Sequence, residues 1–514
     1  MSKDESKSQS LPRRQFLQSS GLAAGAALGA LAVPGTAAAA ACTAVPQSWD
    51  QTADVVIIGT GFAGLTAAIE ARLAGAEVLV IDKMPVHGGN SIINGGDFCA
   101  AGTPMQQAAG ISDSPELMLK DMMKAGNNLN HVELARMVAY QSAETLAWCQ
   151  DYVGVKFTQI NFHGGHSVKR AHQTINASGS ELVNKFLKKA RDLGVKVEQR
   201  VKLVRYVADD SGRVIGIEVL KGYRFPDEKS GKKAFIKARR AVVLGSGGFS
   251  RDIPLRMVQE PRLTDKFEST NHPGATGEAL TEACKVNAMT VQMDWIQLGP
   301  WTSPDEKGFG HVPHFCERLV GSAPMIDPKT GKRFFKETGN RKERADAIIA
   351  LDHPVIIFSD EPTAIRQVFG ESLTKGVENG AVKKYDTLEA VAKAYDMPVA
   401  PFLEEVAKWN SFVQQKKDPD FGCMIFPEAT PVTKAPFYVA RLWPKVHHTM
   451  GGLAINKDAQ VINLDLKPLP GLYAAGEVTG AVHGAVRLGG VAVADCCVFG
   501  RIAGRNAAKE KPWA

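Results

Sequence analysis

The sequence predicts an α/β fold with a Rossmann-like dinucleotide-binding domain. Three observations carry that reading. A strand–glycine turn–helix–strand unit occupies residues 54–85, a second glycine-rich strand-to-helix element occupies 469–504, and a block of amphipathic segments lies between them. In the first unit, "DVVIIGTGFAGLTAAIEARLAGAEVLVIDKMP", an apolar run passes through Gly59, Gly61 and Gly64, continues with helical periodicity and returns to a second apolar run ending at Asp82. Gly59 permits the tight turn, Gly61 lets the backbone approach a pyrophosphate, and Gly64 lets the helix pack on the sheet, while Asp82 is placed to accept from a ribose hydroxyl.

The chain of 514 residues is 44% hydrophobic and 22% charged, the makeup of a globular enzyme. Its net charge of +7 is spread along the chain without a run of Lys and Arg interleaved with aromatics, which argues against nucleic-acid binding. Ahead of the first strand, Arg13 and Arg14 precede Phe16, Leu17 and a weakly apolar stretch rich in Ala and Gly. That pattern reads as a twin-arginine (Tat) export signal spanning residues 1–41 and removed near Ala41, with a membrane anchor, or a lipid-modified Cys42, as alternatives. The mature protein is expected to be soluble and periplasmic, without stable membrane insertion. Tat export carries folded proteins, which suits a chain that takes up a bulky cofactor first. The eight cysteines fall in no C-x-x-C or C-x-x-C-H pattern, so neither covalent haem nor a zinc ribbon is expected.

After the second strand comes "HGGNSIINGG", where Gly88, Gly89, Gly95 and Gly96 permit close approach to a flat ligand and Asn90 and Ser91 offer hydrogen bonds. Near the other end, "LPGLYAAGEVTGAVHGAVRLGGVAVADCCVFGRIAG" places a short strand, Glu477, a glycine-rich loop and an apolar helix. A helix starting after Gly489 and Gly490 would face the N1–C2 edge of a flavin and stabilise negative charge on the reduced ring. A nicotinamide enzyme has no need of this distant element, so FAD is the expected cofactor.

From "DVVIIGTGFAG" through "RAHQ" (170–173), "AVVLGSGGFS" (241–250, with Gly247), "STNHPGATGEAL" (269–280), "GKRFFKETGNR" (331–341), "HHTMGG" (447–452) and "AAGEVTGAVHGAVRLGG" (474–490), the chain resembles the soluble fumarate-reductase-like flavoproteins. The resemblance covers nearly the whole mature chain. It implies a discontinuous FAD-binding domain, residues 50–293 and 449–514, with an inserted α+β capping domain at 294–448. It also implies noncovalent FAD, because Ser91 lies where membrane-bound relatives attach the flavin to a histidine.

Two adjacent histidines, His447 and His448, pose a question of their own. An extended strand would send them to opposite faces, so they are not expected to share a metal ion. They are core or capping residues, or they divide a role. The resemblance implies the division, with His447 on the flavin side and His448 on a substrate carboxylate. It makes Arg487 the other carboxylate ligand, where a surface salt bridge is the plain alternative, and it makes Arg341 the proton donor with Glu317 in its proton-delivery chain. A buried Arg341–Glu317 ion pair is the corresponding alternative.

The sequence departs from the family at two points. The second relay arginine falls at Val320, with Arg318 as a candidate substitute, and the histidine that helps hold fumarate's far carboxylate falls at Gly299. Gly299, Pro300 and Trp301 are expected to form a roomier, more apolar wall. The expected activity is therefore reduction of a small monocarboxylic enoate, acrylate or methacrylate, with fumarate or an aryl enoate such as cinnamate or urocanate as alternatives. Hydride from flavin N5 and a proton from Arg341 would complete it, with a separate periplasmic multihaem cytochrome c as electron donor. A ketosteroid or saturated-acid dehydrogenase, and a flavin electron carrier or ligand sensor, are the competing classes.

Overall fold

Val55, Val56, Ile57 and Ile58 form a continuous β-branched run, and such a run is stable only where both faces of a strand are covered. In the computed structural model, which describes residues 45–368 and 371–513, all four are buried. The segment expected to be an export signal, its expected cleavage position and Cys42 lie outside the described residues. The predicted unit is β1 (Gln51–Ile58), α1 (Phe62–Leu73) and β2 (Val78–Asp82), followed by β3 (Asp97–Cys99), β4 (Lys196–Gln199) and the long β5 (Lys232–Leu244). β6 (Ile296–Gly299) leads into a layer that holds α2 (Val312–Leu319), α3 (Arg341–Leu351), β7 (Val355–Asp360) and β8 (Phe437–Leu442). The chain returns along β9 (Lys445–Thr449) and ends with β10 (Pro468–Ala474) and α4 (Val491–Lys509).

The parallel part of the main sheet runs β10–β5–β1–β2–β4, in registers such as Val55↔Val78 and Val56↔Val242. Each buried Val or Ile of β1 removes apolar surface worth about 1.5–3 kcal/mol from water. The strand Val214–Lys221 joins antiparallel on the first half of β5. On the sheet, α1 and α4 pack closely because Gly500 and Gly504 lack side chains. A Cβ at Gly500 would come within 2.1 Å of Thr66 Oγ1, and one at Gly504 within 2.2 Å of the Ala67 carbonyl oxygen. Gly64 is needed for the same reason, since its Cβ would stand 2.0 Å from the Gly59 carbonyl oxygen.

The inserted layer has its own antiparallel sheet, in the order Met325–Ile326, β7, β8, Val382–Tyr385. Strand alternation fills two clusters: Val355, Ile357, Ala440 and Leu442 point to one, and Ile356, Phe358, Phe437 and Val439 to the other. The second cluster is closed by the helix Val399–Gln415, which presents Phe402, Val406, Trp409 and Val413 at helical spacing. No helix among the described residues is long and apolar enough to cross a membrane, and the seven described cysteines are unbridged.

Where the chain enters and leaves this layer, β6 and β9 pair antiparallel, with Gln297 opposite His448 and Leu298 opposite Val446. His447 is the extra residue, so the neck carries a β-bulge.

Candidate active site

Two concavities meet at the C-terminal end of the parallel sheet. The first is a groove lined by Gly59, Thr60, Gly61, Gly88 to Ser91, Gly245 to Gly247, Glu278 and Ala475. Gly59 holds φ +107°, a left-handed turn that brings the chain from β1 into α1. Cβ atoms at Gly89 and Gly247 would meet no protein atom within 4 Å and would project into the groove, so these glycines keep it clear. The N-terminus of α1 has no side-chain cap of its own, although Phe62 N donates to Ser91 Oγ at 3.0 Å. Amides at a helix start beside a glycine-lined groove fit a dinucleotide pyrophosphate.

Asp82 lines this groove, but its oxygens already accept from Thr60 N at 3.0 Å and Met84 N at 2.9 Å, so it also locks the turn it follows. A second groove carboxylate, Glu278, is ion-paired to Lys83 and was not singled out from sequence. Gly64 and Gly96 stay off both concavities. A Cβ at Gly96 would instead meet Thr174 Oγ1 at 2.2 Å, so this glycine serves packing against the 174–178 turn.

Phe62, Asn90, Ser91, Glu477 and Cys496 line both concavities and join them. The second is a cavity under the inserted layer. It brings together Glu317 from α2, Arg341 from α3, both His447 and His448 from β9, Arg487, and Gly490 at the start of α4. Gly95 reaches it as well. Strict strand alternation would have sent the two histidines apart; the bulge at His447 turns both to one cavity. His447 Nδ1 lies 2.7 Å from Thr270 Oγ1, and its ring meets Trp301 edge-on at 4.7 Å between centroids. His448 Nδ1 lies 3.5 Å from Glu477 Oε1, too long to fix its tautomer.

The cavity is lined by buried cationic groups. Arg341, Arg487 and His448 are buried, and Arg341 Nη1, Arg487 Nε and His448 Nε2 have no hydrogen-bond partner among the described residues. Burial, reinforced by the Arg341 charge, pushes the Arg487 pKa down to about 9. Burial also lowers that of Arg341, with Glu317 opposing and Arg344 adding to the shift. Burial and the Arg487 charge keep His448 neutral. Glu477 is raised above the usual carboxylate range by burial.

Glu317 accepts from Arg344 Nη1 at 2.7 Å, and its other oxygen lies 3.4 Å from His163 Nδ1. Burial works to raise its pKa, but Arg344 and His163 overcome this and hold the carboxylate ionised. Val320, the position expected for the relay arginine, is buried in an apolar cluster, and the arginine paired with Glu317 is Arg344. Arg318 also lines the cavity, near Asp97 and Glu317. The spacing Arg341–Arg344 on one helix was a legible signal; His163, 154 positions from Glu317, left none.

The expected wall needs correction. Trp301 lines the cavity, but Gly299 and Pro300 do not. A Cβ at Gly299 would press on the indole at 3.0–3.2 Å, so this glycine makes room for the ring instead of enlarging the cavity. The indole then lies under Arg341, with Cζ 5.2 Å from its ring centroid, and beside Phe309.

The family model described as an FAD binding domain matches residues 54–493. The chain is 40% identical to the acrylate reductase flavoprotein subunit of Shewanella woodyi over 504 residues, covering 96% of this chain and 98% of that one. It is 36% identical to a fumarate reductase (cytochrome) of Shewanella frigidimarina over 465 residues, covering 89% and 77%. Among solved structures, the open conformation of a flavocytochrome c3 fumarate reductase superposes with a TM-score of 0.72 at 34% identity, covering 90% of this chain and 79% of that one.

Proposed function

The chain belongs to the FAD binding domain family, and from that premise we propose that it reduces the C=C bond of a small α,β-unsaturated monocarboxylate, with acrylate or methacrylate favoured. It is a flavin-dependent oxidoreductase, and the glycine-lined groove fits its FAD. Bound there, the reduced cofactor supplies the hydride for the β-carbon of the enoate. One observation carries the reading: Arg341 Nη1, Arg487 Nε and His448 Nε2 are buried and unpartnered among the described residues, and all belong to the cavity next to the groove. Buried, unsatisfied guanidinium donors beside an imidazole nitrogen call for an anion.

Arg487 and His448 grip the substrate carboxylate. As hydride arrives at the β-carbon, charge moves toward that carboxylate, and the guanidinium binds the charge more strongly in the transition state than in the ground state. His448 with its proton on Nε2 aims a donor at the same oxygen. Arg341 delivers a proton to the α-carbon; its lowered pKa makes it a better acid than an arginine in water, and Glu317 beside it restores the proton. His447, wedged between Thr270 and Trp301, fixes the wall against which the substrate lies. The inserted layer, residues 294–448, acts as a clamp over the FAD-binding segments 50–293 and 449–514.

Trp301 and Phe309 give the cavity an apolar end, which supports a single carboxylate. Fumarate is the second reading, favoured by Asn271 Nδ2, which is buried in the same cavity without a partner among the described residues. A separate periplasmic cytochrome c supplies electrons. This is supported by the lack of a haem motif in the sequence and by a relative named as a flavoprotein subunit. The twin-arginine segment supports export in folded form.

The test is a panel of acrylate, methacrylate, fumarate, cinnamate and urocanate with reduced methyl viologen as donor. Acrylate or methacrylate should show the highest kcat/KM. Fumarate turning over fastest would overturn the monocarboxylate assignment.

A further inference from the structure

His163 sits where three parts of the cavity wall converge, and the reaction as proposed leaves it without a task. Its Nδ1 is 3.4 Å from Glu317 Oε2, and its Nε2 lies 3.4 Å from Asp97 Oδ2, within ion-pair range but not hydrogen-bonded, so one imidazole stands between two carboxylates on different elements. It also faces the proton donor. A Cβ at Gly489 would meet His163 Cγ at 2.7 Å and Arg341 Nη2 at 3.0 Å, so only a glycine separates imidazole from guanidinium.

Resting on the enoate-reductase reading, we propose that His163 is the proton reservoir of the site, recharging Arg341 through Glu317 and being refilled through Asp97. The proton balance closes. Arg341 gives one proton to the α-carbon, Glu317 passes one from protonated His163 to the neutral guanidine, and His163 regains one from solvent by way of Asp97. This route draws one solvent proton per turnover; the second proton of the reduction enters with the hydride, when the cofactor is re-reduced by its electron donor. Arg344 is a poor candidate for this task. Its side chain is fully buried, and its bond to Glu317 Oε1 holds the carboxylate in place while Oε2 stays turned toward His163.

The charges around His163 favour its protonated form. Asp97 on β3 and Glu317 on α2 outweigh burial and raise its pKa above the ordinary histidine value. His314 and Arg318 on α2, Arg341 and Arg344 on α3, and His166 in its own loop are the other titratable or charged groups of this region. His314, pushed down to about 4 by burial, and His166, lowered well below 6.5 by burial and Arg170, are neutral at pH 7. Of these three histidines, His163 is thus the one whose surroundings favour the protonated form.

His163 is a positioning and relay residue, so its test needs readouts that a structural role would not move. In the FAD-loaded protein, kcat should fall on the alkaline side as pH rises through the His163 pKa. Asp97→Asn removes a stabilising charge and should move that limb to lower pH. His163→Gln should lower kcat by about 10-fold or more and abolish the limb, while substrate affinity read from flavin spectral shifts changes by no more than about 2-fold. Histidine NMR titration without substrate, assigned by His163→Gln, should find the same raised pKa and the same downward shift in Asp97→Asn. A wild type that turns over no enoate overturns the reading of the site and this inference with it. A wild type that turns over beside a His163→Gln variant of unchanged kcat and pH profile overturns this inference alone.

Discussion

At Glu317 a single carboxylate answers to two bases, Arg344 at 2.7 Å and His163 at 3.4 Å, inside a cavity that already holds Arg341 and Arg487. Arg344 decides whether that carboxylate is tolerable. Its folded pKa is depressed, so Glu317 contributes stability above the unfolded carboxylate value of about 4.3, and that stability is lost as pH falls toward the folded pKa. In Arg344→Met the hydrocarbon volume stays but the charge goes, so burial is opposed only by His163 and Arg341 and the Glu317 pKa rises. The variant should then lose about 3–5 kcal/mol at pH 7, the cost of stranding one member of a buried pair. The deficit should shrink as acid protonates Glu317. Thermal unfolding at pH 7 and pH 5 checks this; an equal Tm deficit at both values would show that Arg344 acts through packing only.

At the scale of elements, α1 and α4 set the spacing of the whole site, because α1 begins at the groove and α4 begins at the cavity. Gly504→Leu would drive a side chain toward the Ala67 carbonyl and wedge the helices apart. The expected cost is about 1–3 kcal/mol, with a lower ratio of flavin to protein absorbance after purification. Full FAD content at an unchanged Tm would count against the close contact. The α1 unit was legible in the sequence because its glycines, its periodicity and both flanking strands lie within 32 residues. The neck was legible only in part. "KVHHT" reads as a strand, and it is one, but the bulge that turns both histidines to one cavity depends on pairing with β6, about 150 residues earlier. Gly299 was misjudged for a related reason: its neighbour is the Trp301 ring two positions on, and only the fold says that the indole lies across it.

Over the whole molecule, the groups that line the cavity come from both sides of the neck: Arg341 and Glu317 from the inserted layer, Arg487 and Gly490 from the segment that closes the main sheet. The fold thus holds two buried guanidiniums in one cavity, with the Arg341 charge helping to lower the Arg487 pKa, a repulsion that an anion relieves. Carboxylate binding should therefore stabilise the entire protein and not merely fill a pocket. Propionate, which resembles the expected product and cannot be reduced, should raise the Tm of the FAD-loaded protein. Linkage puts the stabilisation at about 2.7 kcal/mol when its concentration is 100 times Kd. Chloride at equal ionic strength should give much less, since it cannot bridge Arg487 and His448. Arg487→Ala should remove most of the propionate shift while leaving the flavin bound. If chloride matched propionate, or if Arg487→Ala shifted as far as the wild type, the cation cluster would be ordinary core electrostatics and not a carboxylate site.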